Sequence, residues 1–130
     1  MEFTLNAVSG QIQVVLSASV QGRDGVFWLY GGEKRHIGAV ALRECGGAGL
    51  LYSFPGHRED GIVGELARRL ERDGRLEHIV VCGGIHYDNI NPEWIPKIVA
   101  LCSQLGERLV RELNQRLEVQ EGDTSWNVPG

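Results

Sequence analysis

The stretch IVVCGGIHYDN, residues 79–89, decides the fold. Its first four residues are apolar and mostly β-branched, as in an interior strand, and the glycine pair then leads into polar residues. We expect strand six to end at Cys82 and residues 83–89 to form a loop. In open α/β sheets ligands bind beyond the carboxyl ends of the strands, so this loop is a candidate ligand site.

Upstream of this stretch, apolar residues recur at helical spacing. They are Ile62, Val63, Leu66, Ala67 and Leu70. Glu59 and Asp60 stand near the start of this pattern and Gly74 just past its end, as expected for the two ends of a helix. With a strand predicted at residues 50–54, this helix and strand six would form a right-handed β-α-β unit whose two strands are parallel.

Downstream, a second and longer helix is predicted to start near Asn91, with Pro92 in its first turn. Its apolar face continues to Leu113, as in a helix that packs along a sheet. Residues 119–130 are polar, so we expect them to form a tail beyond a single α/β ligand-binding domain of residues 1–118.

The first third of the chain predicts strands. Apolar and polar residues alternate over residues 3–7 and 12–20, which indicates a hairpin, and further strands are predicted at 26–30 and 37–42. The fold class is therefore α/β, with an α+β mixed sheet of about six strands. An N-terminal antiparallel meander is followed by the β-α-β unit and a long C-terminal helix.

Composition and charge restrict the classes of partner. With 130 residues, 42% of them hydrophobic, the chain can bury the core of one domain. The formal net charge of −4 argues against nucleic acid and anionic membranes as partners. The three cysteines form no CxxC pair, and no signal-like or membrane-spanning segment is evident, so we expect a soluble cytoplasmic protein.

Strand polarity brings three loops to one edge of the predicted sheet: residues 31–36, 55–60 and 83–89. They carry His36, His57 and His86. Both helices begin at this edge, where their free backbone N–H groups and positive dipole ends favour an anion. Lys34, Arg35 and Arg58 add cationic donors, which favours a small phosphorylated ligand.

The same residues allow other interpretations. A loop histidine is often an ordinary surface residue. His57 with Asp60, and His86 with Asp88, also have the residue types of a metal site, although their spacing is no recognised ligand signature. A small metal-dependent enzyme that uses His36, His57 and His86 as ligands is thus one alternative. The chain has no GxGxxG, P-loop, GxSxG or HExxH motif, so no reaction can be assigned from these residues.

Three segments resemble a known family: HIGAVAL at residues 36–42, PGHRED at 55–60 and GIHYDN at 84–89. They are similar to small accessory proteins typified by the accessory subunit of gallate decarboxylase, described as prenylated-flavin chaperones. The resemblance implies a carrier that binds and does not catalyse, together with a fold similar to that of proteasome-assembly chaperones.

The cofactor implied is prenylated FMN or FMN, and the implied partners are a flavin prenyltransferase and a UbiD-type decarboxylase. An assembly chaperone that binds only protein is a further alternative, and a homodimer is left open. The candidate cofactor-binding residues lie on the three loops: Lys34, Arg35, His36, His57, Arg58, Asp60, Gly84, His86, Tyr87, Asp88 and Asn89.

Overall fold

A computed structural model describes residues 1–56 and 59–122, with side chains described as far as Leu117. Six strands and two helices follow one another along the chain. They are β1 (Glu2–Ser9), β2 (Ile12–Gln21), β3 (Asp24–Gly32), β4 (Ala39–Glu44), β5 (Gly49–Ser53), α1 (Asp60–Asp73), β6 (His78–His86) and α2 (Trp94–Gly122). Within these residues, neither helix combines the length and the hydrophobicity needed to cross a bilayer.

The strands form one mixed sheet in the order β1-β2-β3-β6-β4-β5. The predicted antiparallel meander is confirmed, because β1 pairs with β2 and β2 with β3 in antiparallel register. β3 and β6 pair in parallel. β4 pairs antiparallel with both β5 and β6. β5 and β6 therefore run in the same direction, as the β-α-β prediction requires, but β4 lies between them.

The prediction that strand six ends at Cys82 is wrong. β6 continues to His86, and Gly83 to His86 pair with the last residues of β3. The glycines extend the strand because each leaves room for a close neighbour. A Cβ on Gly83 would collide with Val63 Cγ1 on one side of the sheet. A Cβ on Gly84 would collide with the main-chain carbonyl oxygen of His36 on the other side.

The ends of α2 also differ from the prediction. The helix begins at Trp94, not near Asn91, and Pro92 lies before it. The Asn91 side chain accepts a hydrogen bond from the backbone N–H of Glu93 at 3.0 Å, which holds residues 91–93 in a turn ahead of the helix. At the other end the helix continues to Gly122, so residues 119–122 of the expected tail are helical. Residues 123–130 lie outside the described part of the chain.

The core lies between one face of the sheet and the two helices. Alternate residues of β2 and β3, such as Leu16 and Phe27, point into it and are fully buried. They meet apolar side chains of α1 and α2, including Leu70 and Leu109. The strands thus alternate between a face covered by the helices and a face over which the described residues place no helix.

Candidate functional site

The edge formed by the ends of β3 and β6 and the start of α1 brings together the described parts of the three predicted loops. The rings of His36 and His86 meet edge to face, with centroids 5.7 Å apart. His36 Nε2 lies 3.4 Å from Glu59 Oε1, immediately before α1. Residues from all three loops are therefore in contact at one end of the sheet.

Backbone hydrogen bonds fix the segment between β3 and β4 against β6. The N–H of Glu33 donates to the carbonyl of His86, and the N–H of Gly38 donates to the carbonyl of Gly83, both at 2.7 Å. Glu59 adds a link from α1, because its Oε1 accepts a hydrogen bond from the N–H of Ile85 at 3.3 Å. The histidines thus sit on segments that are hydrogen-bonded to one another.

His86 and Asp88 form an exposed pair at the end of β6. His86 Nε2 lies 2.8 Å from Asp88 Oδ1. This hydrogen bond is the main reason that the pKa of the Asp88 carboxyl is lowered, and the nearby Lys34 acts in the same direction. The backbone N–H of Asp88 donates to Glu33 Oε2 at 3.3 Å. Two carboxylates, from Glu33 and Asp88, therefore stand side by side here.

A groove of about 810 Å³ opens beside this pair, between the ends of β1, β2 and β3 and the segment that leads into α2. Its volume is within the range of small-molecule sites. The residues that line it are Thr4, Asn6, Gln11, Gln13, Val15, Tyr30, Gly31, Gly32, Glu33, Arg35, Tyr87, Asp88, Asn89, Ile90, Asn91 and Trp94.

The groove is rich in carboxamides, which come from Asn6, Gln11, Gln13, Asn89 and Asn91. Each carboxamide offers both a hydrogen-bond donor and an acceptor. Gln13 Nε2 donates to Asn6 Oδ1 at 2.9 Å, which links β1 and β2 on the groove wall. Such a wall can bind a ring edge that alternates carbonyl and N–H groups.

Aromatic rings and one cation complete the groove. Tyr87 and Trp94 meet edge to face with centroids 5.4 Å apart, and the Tyr87 hydroxyl accepts a hydrogen bond from the N–H of Gln13 at 3.1 Å. The guanidinium of Arg35 lies 4.5 Å from the centroid of the Tyr30 ring. The described first turn of α2, which starts at the groove, carries no acidic residue, so its positive dipole end is not neutralised within that turn.

The model of the prenylated flavin chaperone LpdD-like domain matches residues 8–114. That range includes most of the sheet and of α2, and almost all of the groove. The chain belongs to this family. The match confirms the resemblance found in the three sequence segments.

No curated protein matches this LpdD-like chain. Among solved structures, one from a chaperone complex for yeast 20S proteasome assembly is similar, with a TM-score of 0.50 and 4% sequence identity. The similarity covers 82% of this chain and 98% of that chain. At this identity it shows the fold alone, and it confirms the expected likeness to proteasome-assembly chaperones.

Four of the predicted binding residues line the groove of the LpdD-like domain: Arg35, Tyr87, Asp88 and Asn89. Lys34, His36 and His86 lie next to it without lining it. Asp60 is the exposed first residue of α1 and does not line the groove. The space beside Gly84 is filled by the main chain at His36, so this glycine positions a neighbouring segment. His57 and Arg58 lie outside the described residues.

Most of the groove was missed from sequence. Asn6, Gln13 and Tyr30 lie on the side of their strands that points away from the core, where polar residues usually face solvent. The signal was present in the alternation of β1 and β2, because a carboxamide occupies outward positions on two paired strands, Asn6 and Gln13. The sequence does not show that residues 87–94 fold back over these positions.

The metal hypothesis is not supported. In residues 1–56 and 59–122, no group of three or more histidine, cysteine or acidic side chains is arranged to hold a metal ion. His36 and His86 do meet, but each has a ring nitrogen directed at a carboxylate of the protein, Glu59 and Asp88 respectively. His57, the third predicted ligand, is outside the described residues.

Proposed function

We propose that this LpdD-like chain binds prenylated FMN, or FMN itself, in the groove between β1–β3 and the start of α2. In this role it would support the maturation of a UbiD-type decarboxylase. One observation carries the proposal: a groove of about 810 Å³ in a chain of the prenylated flavin chaperone family combines carboxamides, aromatic rings and a cation. These are the groups that the parts of a flavin nucleotide require.

The isoalloxazine ring fits the amide and aromatic part of the groove. Its pyrimidine edge alternates carbonyl and N–H groups, which the carboxamides of Asn6, Gln13 and Asn91 are suited to bind. Its flat apolar surface suits contact with Tyr87 and Trp94. A prenyl adduct adds apolar surface, for which Val15 and Ile90 are the aliphatic wall residues.

The ribityl phosphate fits the charged part of the groove. The carboxylates of Glu33 and Asp88 accept hydrogen bonds from hydroxyl groups, and they disfavour a phosphate in contact with them. The phosphate would therefore bind Arg35 and the backbone N–H groups at the start of α2, where charge and dipole favour an anion. Lys34 and Arg58 are further candidates for this role.

The chain would act as a carrier. A flavin prenyltransferase would supply the prenylated flavin, and the decarboxylase would receive it. His36, His57, Asp60, Gly84 and His86 remain proposed as residues that bind the cofactor or shape its site. Two contacts support this role: His86 borders the groove through Glu33 and Asp88, and the ring of His36 meets the ring of His86.

The test is anaerobic co-expression of the tagged protein with a flavin prenyltransferase, followed by an absorbance spectrum of the purified protein. We expect a flavin spectrum at close to one equivalent. Gln13→Ala, in the groove, should lose most of the bound flavin. Gln104→Ala, which removes an exposed carboxamide from α2, is the matched control and should keep it.

A colourless protein under these conditions would contradict the proposal and favour the alternative of an assembly chaperone that binds only protein. Equal flavin content in the Gln13→Ala and Gln104→Ala proteins would place the flavin elsewhere. Isothermal titration with FMN, under exclusion of oxygen, then gives the affinity of each variant and separates weak binding from loss during purification.

A further inference from the structure

The face of the sheet opposite the helices is apolar over its central strands. In one row across the sheet, paired residues bring together Val26, Val80, Leu42 and Leu50. In the next row, pairing brings together Trp28, Cys82, Val40 and Tyr52. Val26 is 51% exposed and Leu50 is 61% exposed. An apolar surface of this extent is unusual for a face in contact with water alone.

We infer that a second copy of this chain packs on this helix-free face, sheet against sheet. Two sheets commonly pack face to face about 10 Å apart, with side chains of the two inner faces interdigitating. The packing rests on the sheet alone and does not depend on the identity of the ligand in the groove. Shape, area and charge each favour a second copy as the occupant.

The shape of the face is complementary to itself. β6, near the middle, carries small side chains at Val80 and Cys82. Larger side chains stand on both sides of this strand, with Trp28 on β3 and Tyr52 on β5. A low strip flanked by two ridges can receive a ridge of an identical surface rotated by a two-fold axis, as an isologous interface requires.

The area is sufficient for a stable dimer. Five neighbouring strands of the sheet, in the order β2, β3, β6, β4 and β5, span roughly 20–25 Å. Three outward positions along each strand span roughly 15–20 Å. With the corrugation of the side chains, the accessible area of such a face is of the order of the ~800 Å² per partner found in standard interfaces. The apolar rows and the outward residues around them together give this face the area that a stable dimer needs.

Charge favours self-association at this face over other faces. The chain has a net charge of −4, so two copies repel each other wherever acidic surfaces meet. The two rows contain no acidic or basic residue, and the acidic residues of this face, Glu2, Asp24 and Glu44, lie at its margin. A neutral centre lets two identical surfaces approach without repulsion between like charges.

The experiment measures the molar mass of the full chain by sedimentation equilibrium at concentrations of about 1–100 μM. We expect the wild type to have twice the chain mass of 14.4 kDa. Val26→Glu and Leu50→Glu each place a carboxylate in the apolar interface and should raise the dissociation constant at least about 100-fold. Val99→Glu is the matched control, because Val99 is 50% exposed on α2, and it should remain dimeric. Circular dichroism confirms that each variant is folded.

A second measurement needs no variant. Cys82 lies on the proposed interface, whereas Cys45 is exposed outside the two rows. The rate of maleimide labelling at Cys82, relative to that at Cys45 in the same chain, should fall several-fold as the protein concentration rises through the dissociation constant. A wild type with the mass of one chain, dimers of both Val26→Glu and Leu50→Glu, or a labelling ratio independent of concentration would each overturn the inference.

Discussion

Arg35 is the groove residue whose charge most directly suits a phosphate. Its guanidinium lies over the Tyr30 ring and lines the groove. A charge-assisted hydrogen bond contributes about 1.5–3 kcal/mol, so we expect Arg35→Ala to weaken FMN binding by roughly 10- to 150-fold. Arg111→Ala, which removes an exposed arginine of α2, controls for the change in net charge. Titration calorimetry compares the two, and equal affinities would remove Arg35 from the phosphate site.

His86 is expected to matter more for binding than for stability. Its side chain is 40% exposed and its ring hydrogen-bonds the exposed Asp88, so His86→Ala should lower the thermal midpoint by only a few degrees, as for a change of about 0.5 kcal/mol. Flavin retention should fall sharply. The pKa of Asp88 should rise toward its ordinary value, because its main stabilising hydrogen bond is lost.

Two measurements test this prediction: thermal unfolding and titration of the Asp88 carboxyl by NMR. A fall in the midpoint of roughly ten degrees or more, with normal flavin binding by the folded protein, would identify His86 as a structural residue. An unchanged Asp88 titration would show that the histidine does not determine the charge of its partner.

His78, at the opposite end of β6, gives a pH-dependent contribution to stability. The hydrogen bond between its ring and the Asp24 carboxylate raises the pKa of His78 above 6.5, and Glu77 and Glu44 act in the same direction. A raised histidine pKa adds stability that is fully present below the unfolded pKa and is lost as pH rises through the folded pKa. Asp24→Asn should therefore lower the thermal midpoint at about pH 5.5 and change it little at about pH 9. A midpoint difference that does not vary with pH would contradict this.

At the scale of single residues, the sequence predicted which histidines meet at the end of the sheet better than it predicted which residues line the groove. The meeting of His36 with His86 followed from strand polarity and is present in the structure. Asn6 and Gln13 were not predicted to line a site, because an outward polar residue on a strand looks the same whether it faces solvent or a groove. What distinguishes them is the segment folded over them, and that contact is non-local.

At the scale of elements, Gly84 determines how β4 approaches β6. A Cβ at this position would collide with the carbonyl oxygen of His36, so Gly84→Ala must displace main chain. We expect a loss of about 1–3 kcal/mol, or roughly 5–15 °C in the thermal midpoint. Gly61→Ala, at an open position in the first turn of α1, should instead be neutral or raise the midpoint. A Gly84→Ala protein as stable as Gly61→Ala would show that the segment 33–38 is not held against β6.

The order of strands and helices along the chain was predicted better than which strands lie side by side in the sheet. The alternation of residues and the helical spacing gave the six strands, the two helices and the direction of each strand. The insertion of β4 between β5 and β6 was not predicted, because a right-handed crossover through α1 allows adjacent strands or strands one position apart. The extension of β6 to His86 was missed because glycine usually marks the end of a strand, whereas here it admits Val63 and the His36 main chain.

At the scale of the whole molecule, the groove and the helix-free face are continuous. Tyr30 lines the groove and follows Trp28 on the same side of β3. Val15 on β2, which pairs with Tyr30, lines the groove as well. A second copy seated on the apolar rows would therefore border the groove. This arrangement couples dimerisation to ligand binding if the ligand contacts or orders the shared margin.

Coupling between dimerisation and FMN binding must be reciprocal. If FMN binds the dimer more tightly than the single chain, saturating FMN lowers the dimer dissociation constant, and the dissociated Val26→Glu protein binds FMN more weakly by a corresponding factor of about 5–150. Val99→Glu should show neither effect. Sedimentation equilibrium with and without FMN measures the dimer dissociation constant. Titration of each variant with FMN, at protein concentrations below and above the dimer dissociation constant of the wild type, measures the affinity for FMN. Equal affinity of the monomeric and dimeric proteins for FMN would show that the groove is complete within one chain, because a ligand with no differential affinity cannot shift the equilibrium between them.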